Sequence, residues 1–170
     1  MPKIVAVVGG KHSGKTTVIE HLITELKSRG FNVAVVKEMV LVPTLDTPNK
    51  ETDRYAKAGA EVTVAVPREE TVIFIKKRLK VSEILPCLPR VDYVILEGFE
   101  QEQMVPKIIA AKTAGGVEKY MDACTFAISG LIMESEVEKK TAEKHQLLMC
   151  NSLTQAKELA DLAVQKALSV

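Results

Sequence analysis

Neither sign of charge is in excess: 23 basic residues face 22 acidic ones, for a formal net charge of +1 at pH 7. Nucleic acid and anionic membranes are therefore not expected as partners, and any charge effect is local. Cysteine is scarce. Cys87, Cys124 and Cys150 are odd in number, widely spaced and never C-x-x-C, which leaves no disulfide framework or zinc site and reads as small core residues. His12, His21 and His145 share no ligand spacing with one another or with the cysteines, so no histidine is assigned a catalytic role. No apolar run approaches the roughly 18 residues of a membrane span. The N-terminus enters a strand without the pattern of a signal peptide, and a cytoplasmic location is expected. Repeats, low-complexity tracts and flexible linkers are missing too. What is present is 170 residues at 46% apolar composition, enough for the core of one α/β domain, so a single domain over residues 1–170 is expected.

One stretch organises the rest. Gly9-Gly10-Lys11-His12-Ser13-Gly14-Lys15-Thr16-Thr17 satisfies G-x-x-x-x-G-K-[ST], with Gly9, Gly14, Lys15 and Thr16 in the demanded places. A β-branched apolar run, 3–8, precedes it. An amphipathic helical pattern, 15–27, follows it, carrying Val18, Ile19, Leu22, Ile23 and Leu26, with Gly30 placed to end it. Strand, glycine-bearing loop and helix in this order form a phosphate cradle: backbone N–H groups wrap a polyphosphate and the helix dipole faces it. Lys15 reaches the β and γ oxygens, and the Thr16 hydroxyl is offered to Mg²⁺. His12, within the loop, is read as facing solvent.

Residues 31–37 form a second strand, parallel to the first. The segment 38–50, with Pro43, Asp46, Pro48 and Asn49, reads as a loop leaving the carboxyl end of that strand, where α/β ligands bind; Asp46 and Lys50 are its functional candidates. A short helix over 52–58 ends at Gly59. Strands 61–66 and 71–75 flank a hairpin-sized Pro67-Arg68-Glu69-Glu70 and are expected to pair antiparallel. The basic run Lys76 to Lys80 reads as a solvated rim and, provisionally, as an anion site. After a helical turn near 82–85, the strand 91–97 ends in Glu97-Gly98. An apolar strand ending in an acid, in a chain with a phosphate loop, marks Glu97 for the Mg²⁺ shell or the attacking water; Asp92 belongs to the opposite strand end. Strands 105–112 and 124–128 are expected around a glycine-bearing loop at Gly115-Gly116, with Lys107 and Lys112 near the site edge. Residues 134–144 read as an exposed helix or loop and 146–150 as a short strand. A last helix, opened by a capping box of Ser152 and Gln155, is expected to run to the C-terminus.

These motifs together resemble the MobB family, molybdopterin-guanine dinucleotide biosynthesis protein B. The likeness rests on the loop Gly9 to Thr17, on Asp46-x-Pro48-x-Lys50-x-Thr52-x-Arg54 running into Ala58-Gly59-Ala60, and on Glu97-Gly98-Phe99. Asn49 and Thr52 depart from the glycine and serine of the family pattern, as do Lys37-Glu38 from Lys-His and Ser129-Gly130 from an acid. The resemblance implies a three-layer P-loop NTPase α/β sandwich, with a mostly parallel sheet and an added antiparallel hairpin, usually dimeric. It also implies GTP as ligand, and attachment of GMP to molybdopterin by a partner molybdenum cofactor guanylyltransferase.

The resulting expectation is a weak, Mg²⁺-dependent GTPase with Lys15, Asp46 and Glu97 as catalytic residues, 9–17 as the nucleotide cradle, and Thr16 and Glu97 at the metal. A small-molecule kinase using ATP or GTP, and an adaptor without turnover, are the alternatives. Arg29, Arg54, Arg68, Arg78 and Arg90 do not cluster, which disfavours a kinase lid. No N-K-x-D or T-K-x-D string is present to read guanine.

Overall fold

A parallel sheet needs a crossover between each pair of its strands, and the chain supplies one at almost every step. The computed structural model describes residues 2–41 and 44–169. Strand β1 (Lys3–Val8) lies at the centre, parallel to β5 (Tyr93–Glu97) on one side and β6 (Lys107–Ala110) on the other. The order β2-β5-β1-β6-β7-β8 is completed by β2 (Val33–Lys37), β7 (Thr125–Ser129) and β8 (Leu148–Met149), all parallel. Every residue of β5 is buried, as the apolar run Tyr93 to Leu96 of a central parallel strand requires, and the burial extends to Glu97 at its end.

Helices α1 (Lys15–Ser28) and α6 (Ala156–Lys166) cover one face. Val18, Leu22 and Leu26 of α1 and Leu159, Ala160 and Ala163 of α6 pack with Val5, Val7, Ile95 and Ile108 of the sheet. Each Leu or Ile fully buried there contributes about 1.5–3 kcal/mol relative to exposure. Phe31 stands edge-on to Tyr93, ring centroids 5.0 Å apart, and packs partly buried against this core, while β2 starts only at Val33. Phe31 thus precedes β2 rather than opening it.

The described residues gather into two compact units: one up to Glu38 and from Arg90 onward, the other Met39–Pro89. The second contains α2 (Glu51–Lys57), β3 (Val62–Ala65), β4 (Val72–Ile75) and α3 (Val81–Ile84). β3 and β4 form their own antiparallel two-stranded sheet, with Val62 opposite Ile75 and Val64 opposite Ile73, as the hairpin spacing predicts. Of the loop expected over 38–50, Val42 and Pro43 lie outside the described residues.

Four expectations need correction. The Gly115-Gly116 stretch is not a loop: Ala114–Tyr120 forms α4, the crossover that parallel β6 and β7 demand. The Thr113 side chain accepts from the Gly116 N–H at 3.2 Å, and Val117 is fully buried, so a cap and one anchor override two glycines. Ser152 and Gln155 make no capping box. Gln155 instead accepts from the Asn151 N–H at 3.1 Å, helix α6 begins at Ala156, and it stops at Lys166. Leu168–Ser169 then forms β9, antiparallel to Lys3 and Ile4 of β1 where β6 has not yet begun to pair. Finally, Cys87 is exposed and Cys124 half-buried, so Cys150 alone behaves as a core cysteine. The charged stretch contains α5 (Glu136–Ala142), capped by Ser135.

Thr113→Ala is expected to lower unfolding stability by about 1 kcal/mol. An unchanged urea midpoint for the variant contradicts the cap.

Candidate functional site

Gly9 takes φ 145°, and a side chain there would place Cβ 2.0 Å from the carbonyl oxygen of Ala110 in β6. Only glycine lets the loop leave β1 this close to its neighbour. The loop then turns through His12 at φ 55°, exposed as expected, while the buried Ser13 hydroxyl donates to Gly10 O at 2.9 Å. Gly14, in the left-handed region, opens α1 without any side-chain cap, and no acid stands in the first turn. The first N–H groups of a 14-residue helix are therefore neither capped by a side chain nor balanced by a carboxylate, which is the arrangement that attracts an anion.

The Lys15 ammonium crosses this loop and donates to Gly9 O at 2.8 Å and to Gly10 O. Burial pulls its pKa below the ordinary lysine value; Glu97 and Glu100 oppose that shift and Lys37 adds to it. Glu97, at the carboxyl end of β5, is buried and accepts from Lys37 Nζ at 3.0 Å. The backbone behind it is held by Glu38, whose carboxylate accepts from Phe99 N–H at 3.0 Å and stabilises the left-handed pair Gly98 and Phe99. Residues Lys11 to Thr16 and Glu97 border one cavity of about 520 Å³. Thr16 and Glu97 thus offer a hydroxyl and a carboxylate on the same cavity, two hard oxygen donors of the kind Mg²⁺ takes beside phosphate and water. Among the described residues no cluster of three or more His, Cys, Asp or Glu could hold a metal by itself.

A second cavity of about 190 Å³ adjoins the loop. Gly14 and Thr17 border it, with Gly130, Leu131, Met133 and Glu134 after β7 and Asn151 to Leu153 after β8. Gly130 is required here: at φ 88°, a Cβ would lie 2.3 Å from Ser13 O, which accepts from Leu131 N–H at 3.1 Å. The Ser129 hydroxyl, one residue earlier, is fully buried and has no hydrogen-bond partner among the described residues. Sequence reading passed over this cavity because its residues come from three separate segments; Gly130 directly after a buried strand was the available signal.

Other candidates have different surroundings. Asp46 lies in the Met39–Pro89 unit, where its carboxylate accepts from Thr52 Oγ1 at 2.6 Å and Lys76 Nζ at 2.7 Å. Lys76 and Lys77 of the basic run are thereby committed, the latter to Glu83 at 3.0 Å. Lys50 is exposed and stands at the N-cap position of α2 without a side-chain capping bond. Lys107 is not at a site edge: its ammonium is buried against the Asp122 carboxylate and also donates to Glu100 O at 3.1 Å. Lys112 is exposed.

The mostly parallel sheet sandwiched by helices, with a glycine-bearing loop between β1 and α1, defines the chain as a P-loop NTPase-like α/β protein with an added antiparallel hairpin. It belongs to the MobB family: the model for "Molybdopterin guanine dinucleotide synthesis protein B" matches residues 4–134. A Methanocaldococcus jannaschii protein provisionally named a molybdopterin-guanine dinucleotide biosynthesis adapter protein is 34% identical over 131 residues, covering 74% of this chain and 54% of that one. The adapter protein of that name from Haemophilus influenzae is 31% identical over 110 residues, covering 62% and 61%. The chain therefore spans less than two thirds of the length of either relative. The crystal structure of Bacillus subtilis MobB shares the fold, with a TM-score of 0.76, 23% identity and 99% of each chain covered. No helix among the described residues is long and apolar enough to cross a membrane.

The Asp46 carboxyl is held below the usual aspartate range, first by its hydrogen bond from Lys76 and then by that from Thr52, against the opposing effect of burial. A depressed folded pKa contributes stability above the unfolded value of about 3.9 and loses it as pH falls through the folded value. Below about pH 4 the wild type is expected to lose stability more steeply than Asp46→Asn. Parallel urea midpoints for the two proteins from pH 7 to 3 speak against the Asp46 contacts.

Proposed function

We propose that this chain binds GTP with Mg²⁺ in the loop Gly9 to Thr17, hydrolyses it slowly, and acts as an adapter in molybdopterin guanine dinucleotide biosynthesis. Its partner in this reading is the guanylyltransferase that joins GMP to molybdopterin. One observation carries the nucleotide part: the Lys15 ammonium, the Thr16 hydroxyl and the Glu97 carboxylate border a single cavity at the uncapped start of α1. Family membership and the adapter names of the two relatives support the pathway.

Backbone N–H groups of the loop and of the first helical turn receive the phosphates. Lys15 exchanges two neutral carbonyl acceptors for anionic phosphate oxygens, so that both donor and acceptor carry charge. Thr16 and Glu97 are the residues that would hold Mg²⁺, which would supply positive charge to offset that of the phosphates. Glu97, kept in place by Lys37, also orients the attacking water. Asp46 serves as a positioning residue, tying the segment after Thr44 to α2 and to Lys76 beyond β4. No arginine borders the cavity among the described residues, so basal turnover on the order of 10⁻² s⁻¹ or slower is expected.

Lys15→Ala should fold normally and bind GTP more weakly by roughly 1.5–3 kcal/mol. Glu97→Gln should reduce single-turnover hydrolysis more than it reduces GTP affinity. Calorimetric titration with GTP and a single-turnover assay decide both; wild-type affinity in a folded Lys15→Ala protein overturns the cradle, and wild-type rates in Glu97→Gln overturn the role of the acid.

We also propose that two copies associate. Val62, Val64 and Ile73 are about half exposed on one face of the β3–β4 hairpin, and a two-stranded sheet with bare edges is marginal by itself. Light scattering should return twice the chain mass, with or without nucleotide; a monomeric mass rules the association out.

A further inference from the structure

We infer that the smaller cavity beside the loop is the nucleobase subsite and that Glu134 selects guanine there; this rests on the nucleotide reading above. Glu97, the metal-side acid, comes from β5 on one flank of β1, while β6, β7 and β8 lie on the other flank. A nucleotide whose γ-phosphate end faces Glu97 therefore directs its nucleoside toward the ends of β7 and β8. The 190 Å³ cavity opens at those carboxyl ends, where ligands of open α/β sheets bind, and Gly14 borders both it and the phosphate cavity.

Its lining suits a planar base. Leu131, Met133 and Leu153 supply aliphatic walls, and Leu153 is 62% exposed, apolar surface that a ring would cover. The turn carrying Leu153 is fixed by Asn151, whose Oδ1 accepts from Leu153 N–H at 2.9 Å and whose N–H donates to Gln155. Glu134 is exposed at the cavity rim and has no hydrogen-bond or ion-pair partner among the described residues. An ionised carboxylate only accepts. Guanine presents adjacent donors, N1–H and the 2-amino group, that one carboxylate receives together. Adenine presents an acceptor at N1, which the same carboxylate repels; hypoxanthine lacks the 2-amino donor. No N-K-x-D or T-K-x-D string supplies such an acid in this chain, and the turn after β7 does.

The test is calorimetric titration of the full chain, plus Mg²⁺, with GTP, inosine triphosphate, ATP and inorganic triphosphate, using wild type, Glu134→Ala, Glu134→Gln and Lys15→Ala. Glu134→Ala should weaken GTP binding by roughly 10- to 100-fold, bring it close to that of inosine triphosphate and ATP, and leave inorganic triphosphate unchanged. Glu134→Gln, which keeps the side chain's shape, should do the same and decides the matter should the alanine variant melt early. Lys15→Ala should weaken all four ligands. If both Glu134 variants keep the wild-type preference for GTP while Lys15→Ala weakens binding, the base assignment falls and the nucleotide reading stands. If the wild type binds none of the four, both fall.

Discussion

The site depends on two places where backbone passes backbone with no room for a Cβ. Gly9 leaves β1 against the carbonyl of Ala110, and Gly130 leaves β7 against the carbonyl of Ser13. These crossings lock the loop to the ends of β6 and β7, so that its position follows from sheet register rather than from its own side chains. A methyl group at either place would have to displace a main-chain oxygen, which a close-packed interior resists. Fixing the loop this way also fixes the start of α1, whose N–H groups begin beside the half-buried Lys15.

Signals confined to a few neighbouring residues were legible. The loop from Gly9 to Thr17, the amphipathic α1, the apolar β5 ending in Glu97 and the β3–β4 hairpin all carry their meaning locally, in spacing or in turn residues. What failed required partners distant in sequence. Helix α4 holds two glycines and is decided by the crossover between β6 and β7; β9 exists because the first two residues of β1 have a free edge beside β6. Lys107 reads as a surface cation until Asp122 and the Glu100 carbonyl are brought to it. Glu134 was submerged in a charged stretch, where charge alone does not separate a rim residue from a solvated one.

Asp46 illustrates the same limit from the other direction. A polar loop with prolines and an acid suggested a carboxylate presented to a ligand. Its partners are instead Thr52 and Lys76, from either side of the hairpin, and they explain how a unit with few buried apolar residues holds together.

Charge balance at the cavity bears on rate. Lys15 and Lys37 are set against Glu97 and Glu100, and Lys11 on the cavity border adds a single further cation. A triphosphate held there would find little net positive charge in side chains alone. Much of its attraction would come from the uncapped dipole of α1 and the loop N–H groups, which already bind phosphate in the ground state. In the reading proposed above, binding without an added positive charge at the γ-phosphoryl group favours occupancy over turnover, which suits a site that holds a nucleotide for a partner.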